Sequence, residues 1–149
     1  MSKALPHEWL KRNRFVAGIQ RCNHSIRREP SKNVPLDYAM TAIQGIEVRH
    51  LDLPLIKPYA LSYRTFESFE PYLVTITTSD GETAFGEQHI SPGSSSETRE
   101  GGWSFLTSSA EAIVGSDINA VFDQLSSERT QSPVAASAIL NALDQLKEP

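Results

Sequence analysis

Chemistry in this chain of 149 residues has to come from its nucleophiles, imidazoles and carboxylates, and these are scattered. Four histidines and a single cysteine, Cys22, give no spacing that would hold zinc. No glycine-rich phosphate loop occurs, and Gly93-Ser94-Ser95 lacks the strand-to-helix setting of a nucleophile elbow. The 18 acidic residues include no triad with the spacing of a hard-ion site. Glu87, in Phe85-Gly86-Glu87, stands at a strand end without a carboxylate partner and reads as structural rather than as a general base. His50 is isolated on a strand, with no His, Cys or carboxylate at ligand spacing, and also reads as structural. His89 is the sharper case, because an imidazole at a strand's exit can change protonation near neutral pH. No catalytic residue and no metal ligand is assigned.

The elements that position these side chains centre on the run from Tyr72 to Gln88. Leu73, Val74, Ile76 and Thr77 are β-formers, Asp80-Gly81 supplies the positive φ of a tight turn, and Thr83 to Phe85 begin a return strand. Upstream, Ile46 and Val48 alternate with Glu47 and Arg49, which places the two aliphatics inward. Downstream, Ser94-Ser95-Ser96 offers N-cap hydroxyls, and Glu97 and Glu100 suit the positive end of a helix carrying Trp103, Phe105, Leu106, Ala110 and Ile113. Gly101-Gly102 weakens that helix by about 1 kcal/mol per glycine, so an irregular first turn is expected. Gly115 looks like its stop, and Asp117 caps a short helix with Ile118, Val121, Phe122 and Leu125. Ser132-Pro133 starts a last helix whose Ala135, Ala138, Ile139, Ala142, Leu143 and Leu146 keep the helical period and permit close packing. The pattern predicts an α+β fold, a three-stranded antiparallel β-meander followed by a small helical bundle.

A composition of 39% hydrophobic and 21% charged residues is that of a globular domain with a real core. Apolar runs such as Ala135 to Leu140 fall far short of the roughly 20 residues of a spanning helix, so a soluble protein without a membrane partner is expected. A lone cysteine fits a reducing cytoplasm. Residues 1–39 carry eight basic against three acidic residues, whereas the remainder is acidic. No recognition motif accompanies this arm, so nucleic acid is not expected as a partner. Glu8, Pro6 and Pro30 interrupt any amphipathic targeting helix. The arm is read as disordered or as an overextended start ahead of Met40.

The order of parts resembles the N-terminal capping domain of the enolase superfamily, in its mandelate racemase and muconate lactonizing branch. Gly45-Ile46-Glu47-Val48 is similar to a first strand, and Leu53-Pro54-Leu55-Ile56-Lys57-Pro58 to the lead into a loop ending near Thr65. Tyr72-Leu73-Val74-Thr75-Ile76, Asp80-Gly81 and Gly86-Glu87 resemble the second strand, the hairpin turn and the strand end. Gly115-Ser116-Asp117 resembles the turn between capping helices, and Ala135 to Leu146 the helix leading toward a catalytic barrel. The resemblance covers roughly residues 40 to 146 and implies a capping domain over 40–132 with 133–149 leading onward. It implies a proton abstraction next to a substrate carboxylate, by an isomerase or lyase of racemase or cycloisomerase type, with Mg2+ stabilising the enediolate in a complete member. The bases and metal ligands of such members lie on the barrel, so this chain would be inactive alone. Two loops that close over the barrel mouth are implied here by Tyr59, Leu61, Tyr63 and Arg64 in the first, and by His89, Ile90, Ser91 and Pro92 in the second, with 93–98 as a lid. Arg64 would pair with a distal anionic group, and Tyr59 or Tyr63 would stack or donate a hydrogen bond.

Two readings of different class remain open. The chain is the capping part of such an enzyme, with a small carboxylate substrate and a barrel in cis or supplied by another chain, or it is a stand-alone α+β small-ligand or protein-interaction module. Apolar surface separates them: a capping part should leave Ile139 or Leu143 uncovered and tend to associate, up to a homo-oligomer, whereas a module should be polar there. The apolar run from Ala135 to Leu146 favours the capping part.

Overall fold

A computed structural model describes residues 14–18, 41–91, 93–128 and 131–147. Six strands and three helices follow in order, β1 Arg14–Gly18, β2 Ile43–His50, β3 Leu53–Ala60, β4 Thr65–Phe69, β5 Tyr72–Thr78, β6 Thr83–Gln88, α1 Arg99–Ile113, α2 Ile118–Glu128 and α3 Pro133–Leu146. An α+β fold is present, but the sheet is not the expected three-stranded meander: β2, β5 and β6 pair antiparallel within a four-stranded sheet of order β1-β2-β5-β6, and β3 and β4, between β2 and β5 in the chain, form a separate two-stranded sheet.

Both additions correct the sequence reading. Within the arm read as disordered, residues 14–18 pair with β2, with Phe15 and Ala17 turned to the core and Arg14 meeting Glu47 at 2.8 Å. The rest of the arm, Cys22 and Met40 included, and Pro92 lie outside the described residues. The segment expected as a loop up to Thr65 is instead a hairpin, β3 pairing with β4 from Leu53↔Phe69 to Ala60↔Thr65 with an irregularity between Pro54 and Tyr59. Prolines at 54 and 58 lack an N–H for the ladder, which is tolerated because this pair stands at an edge.

Alternation fixes the main sheet. Ile46 and Val48 on β2 and Tyr72, Val74 and Ile76 on β5 are all buried, and the helices cover that face with Leu106, Ala110, Ile118, Val121, Leu125, Ile139 and Leu143. The β5-β6 turn forms as expected, with Gly81 at φ 95° and its N–H donating to the Thr78 carbonyl at 3.1 Å. Buried Thr78 is satisfied through its hydroxyl, which bonds Asp80 and lowers that carboxyl's pKa. On the outer face, Glu47 takes hydrogen bonds from Arg49 and Arg14. Burial alone would raise its pKa, but those two bonds hold it below the ordinary carboxylate value.

Helix ends depart from the sequence reading at two places. Thr98, not the serines at 94–96, caps α1, its hydroxyl accepting from the Gly101 N–H at 3.0 Å. The first turn is regular despite two glycines, and Gly102 has a packing reason, since a Cβ there would sit 2.1 Å from Ile90 Cδ1. Asp117 caps α2 as expected, accepting from Asn119 and Ala120 N–H at 3.0 Å each. At α3 the cap comes from a distance: Glu97 takes the Val134 N–H at 2.9 Å, the Ala135 N–H at 3.3 Å and the Ser132 hydroxyl at 2.7 Å. The local pattern places Glu97 with α1, the nearer helix, and cannot show its partners at the start of α3.

Helix α3 lies across β6, and Ile139 and Leu143 are wholly buried, so the apolar run read as uncovered serves this domain's own core. Contact is closest at Gly86, where a Cβ would fall 1.8 Å from the Ala138 carbonyl oxygen. The side chain of Gln145 also bonds the Phe85 backbone, covering the outer edge of β6. Gly86→Ala should therefore cost roughly 3 kcal/mol, the upper part of the overpacking range. Gly81→Ala, strained in φ but facing open space, should cost only about 1 kcal/mol. Urea unfolding of the two variants beside the parent checks the contrast.

Tyr72 is fully buried and its hydroxyl donates to the Arg99 carbonyl at 2.5 Å. Burial pushes its pKa from 10.0 up to about 12. The folded state thus keeps the phenol neutral where the unfolded chain ionises, so its stability contribution is complete below pH 10 and declines as pH rises toward 12. Denaturant midpoints between pH 8 and 12 should show that decline in the parent and a flatter profile in Tyr72→Phe.

Candidate functional site

The β3-β4 hairpin projects from the main sheet as an arm, entered through His50 and left through Glu70. Its base closes where the Leu51 N–H donates to the Pro71 carbonyl at 2.9 Å, and its tip where the Leu61 N–H donates to the Arg64 carbonyl at 2.8 Å. The second stretch follows β6, where Ser94 turns back on the Ser91 carbonyl through its N–H at 3.1 Å and its hydroxyl at 2.7 Å.

These two stretches meet. The Tyr63 and Ser91 hydroxyls lie 3.4 Å apart, and a Cβ on Gly93, at φ 96°, would come within 3.2 Å of the Tyr63 ring. Behind them His89 stands edge-on to Phe69 at 5.2 Å and to Phe66 at 6.3 Å. Both His89 ring nitrogens are buried and have no hydrogen-bond partner among the described residues. The Arg64 guanidinium lies 5.4 Å over the Phe66 ring, and Tyr59 is edge-on to Phe69 at 6.0 Å. Exposed Tyr59, Leu61, Tyr63 and Arg64 on the arm thus neighbour Ser91 on the second loop, with Tyr59 and Tyr63 each 51% exposed, while His89 backs them from below. Ile90 is the exception. It is fully buried against Gly102 and anchors the second loop from below rather than facing outward. Glu87 is exposed on the outer face of β6, away from the core.

Sequence reasoning missed the residues beneath the loops. Glu70 accepts from Arg99 Nη1 at 2.6 Å, and its other oxygen lies 3.5 Å from His50 Nε2. His50 stacks on Tyr72 at 5.1 Å, and Trp103 stands 6.3 Å from the tyrosine ring. His50 looks isolated in the sequence because its carboxylate neighbour comes twenty residues later, beyond any local spacing rule. A further cavity of about 330 Å³ opens between the starts of α1 and α3, lined by Glu97, Thr98, Phe105 and Ser132 among others. Glu97 already occupies its donors.

No protein-family model and no curated protein matches the chain. Solved structures do. A mandelate racemase/muconate lactonizing protein from Herpetosiphon aurantiacus is 23% identical at a TM-score of 0.62, over 71% of this chain and 30% of that one. A dipeptide epimerase from Methylococcus capsulatus, complexed with Mg and the dipeptide L-Arg-D-Lys, is 27% identical at 0.60, over 72% and 31%. A putative mandelate racemase/muconate lactonizing enzyme from Sorangium cellulosum is 29% identical at 0.53, over 70% and 30%. This chain thus spans about a third of the length of the proteins it matches.

Magnesium is implied by such relatives, but the residues here do not fit it: among the described residues no three His, Cys, Asp or Glu side chains come together as ligands. No helix among them is long and apolar enough to cross a membrane. The chain has the fold of one segment of enolase-superfamily proteins of the mandelate racemase and muconate lactonizing branch, consistent with their N-terminal capping domain.

Proposed function

We propose that this chain is the substrate-capping domain of a mandelate racemase/muconate lactonizing-type enzyme, an isomerase or lyase that abstracts a proton next to a carboxylate. The observation that carries the reading is the contact between the two loops, Tyr63 to Ser91 at 3.4 Å, which makes one surface of two stretches far apart in sequence. A barrel, in cis or in trans, supplies the base and the Mg2+ site, and this chain supplies selectivity and excludes water. Arg64 pairs with an anionic group at the far end of a small carboxylate substrate, while Tyr59 and Tyr63 stack or donate. Ser91 completes the polar lining, His89 supports it from behind with its ring nitrogens buried, and Leu61 gives the tip an apolar contact. The domain takes in β1 as well as the residues from 41 through α3, because Phe15, Ala17 and α3 all pack on one core. A cytoplasmic location accords with the single cysteine.

The alternative, a stand-alone α+β small-ligand or protein-interaction module, is favoured by the complete burial of Ile139 and Leu143. Against it stand Leu53, Ile56, Tyr59 and Tyr63, apolar or aromatic side chains exposed along the arm, with Ile56 fully so.

A chimera in which residues 41–146 replace the matching segment of the Methylococcus capsulatus dipeptide epimerase separates the readings. The expected result is continued incorporation of solvent deuterium at the dipeptide α carbon, with a substrate preference unlike the parent's. Arg64→Ala should raise KM for acidic dipeptides about tenfold, the size of a lost charge-assisted hydrogen bond. A folded chimera with the parent's preference, indifferent to Arg64→Ala, contradicts the capping role.

A further inference from the structure

We propose that Glu70 and Arg99 are positioning residues that clasp the two loops into one fixed arrangement, an inference that rests on the capping reading. Glu70 is the first residue after β4 and so the exit of the arm; Arg99 opens α1 and so ends the second loop; His50 closes β2 and so enters the arm. All three meet at one carboxylate, with Arg99 Nη1 at 2.6 Å from one Glu70 oxygen and His50 Nε2 at 3.5 Å from the other. The Tyr72 hydroxyl holds the Arg99 carbonyl at 2.5 Å and ties the clasp to the buried sheet.

Physical reasons make this contact decisive for the arm. A two-stranded hairpin is marginal by itself, and β3 is exposed along nearly its whole length. Side-chain exposures of 21% for Arg99 and 23% for Glu70 leave the pair far less screened than a surface ion pair. Arg99 reaches Glu70 through one nitrogen, and its Nε is buried without a hydrogen-bond partner among the described residues. The guanidinium therefore acts as a single aimed charge, which an ammonium can replace, rather than as a bidentate fork. Loops that together select a substrate must hold their spacing, since displacement of about 1 Å is enough to lose a large factor in rate.

Spin labels at Lys57 and Ser95, both exposed, with Cys22→Ser removing the native thiol, read the spacing of arm and second loop by pulsed dipolar spectroscopy. The full chain should give one narrow distance distribution. Glu70→Gln and Arg99→Gln should each add a second, longer population, while Arg99→Lys stays narrow and circular dichroism is unchanged in all. A broad distribution in the parent, or narrow ones in both glutamine variants, overturns the clasp. Where a glutamine variant does not fold, Arg99→Lys decides, because a folded lysine variant with a broad distribution is equally contrary. Should the epimerase chimera fail while these distances behave as expected, the capping role falls and the clasp stands.

Discussion

Among the described glycines the tightest packing is between β6 and α3 at Gly86, where no side chain fits above the Ala138 carbonyl. The rest of the architecture depends on it. With α3 seated there, Ile139 and Leu143 fill the space over β5, and α1 and α2 close the remaining edge of the core around Leu106, Ile118 and Val121. Seating α3 also brings its start to Glu97, so that the acidic residue just before α1 caps a helix some thirty-five residues onward. Sheet, helices and the second loop are thereby locked by one small-residue contact and one carboxylate.

The candidate surface lies on what that core leaves outside. The β3-β4 arm has its own sheet, its own aromatic packing among Tyr59, Phe66 and Phe69, and a tip resting on the loop after β6. Ile90 beneath the loop belongs to the core and Ser91 beside it to the surface, so the boundary between support and contact falls between adjacent residues. An arrangement of this kind suits a lid that must be shaped in advance and joined to chemistry held elsewhere.

Much of this was legible in the sequence because it follows from period. The inward side chains of β2 and β5, the turn at Gly81, the Asp117 cap and the apolar face of α3 all obey local rules. What local rules could not show was partnership across distance. The use made of α3's face, Glu97 at a remote helix start, Glu70 beside His50, and β1 on the sheet's edge each join residues far apart in sequence. The arm was missed for a different reason: prolines at 54 and 58 read as loop, and only pairing with Thr65–Phe69 makes the segment a strand. In the candidate surface, the residue types of Tyr63, Arg64 and Ser91 were visible, but their meeting was not.

The measurement that bears most directly on the capping account is the sequence of the locus beyond the Pro149 codon, read in all frames. The account predicts a joined or neighbouring reading frame with spaced carboxylates and a Lys-x-Lys pair at the strand ends of an eight-stranded barrel. An unrelated sequence on both sides of the gene, with no separate chain that supplies a barrel, would contradict it and leave the stand-alone module as the better description.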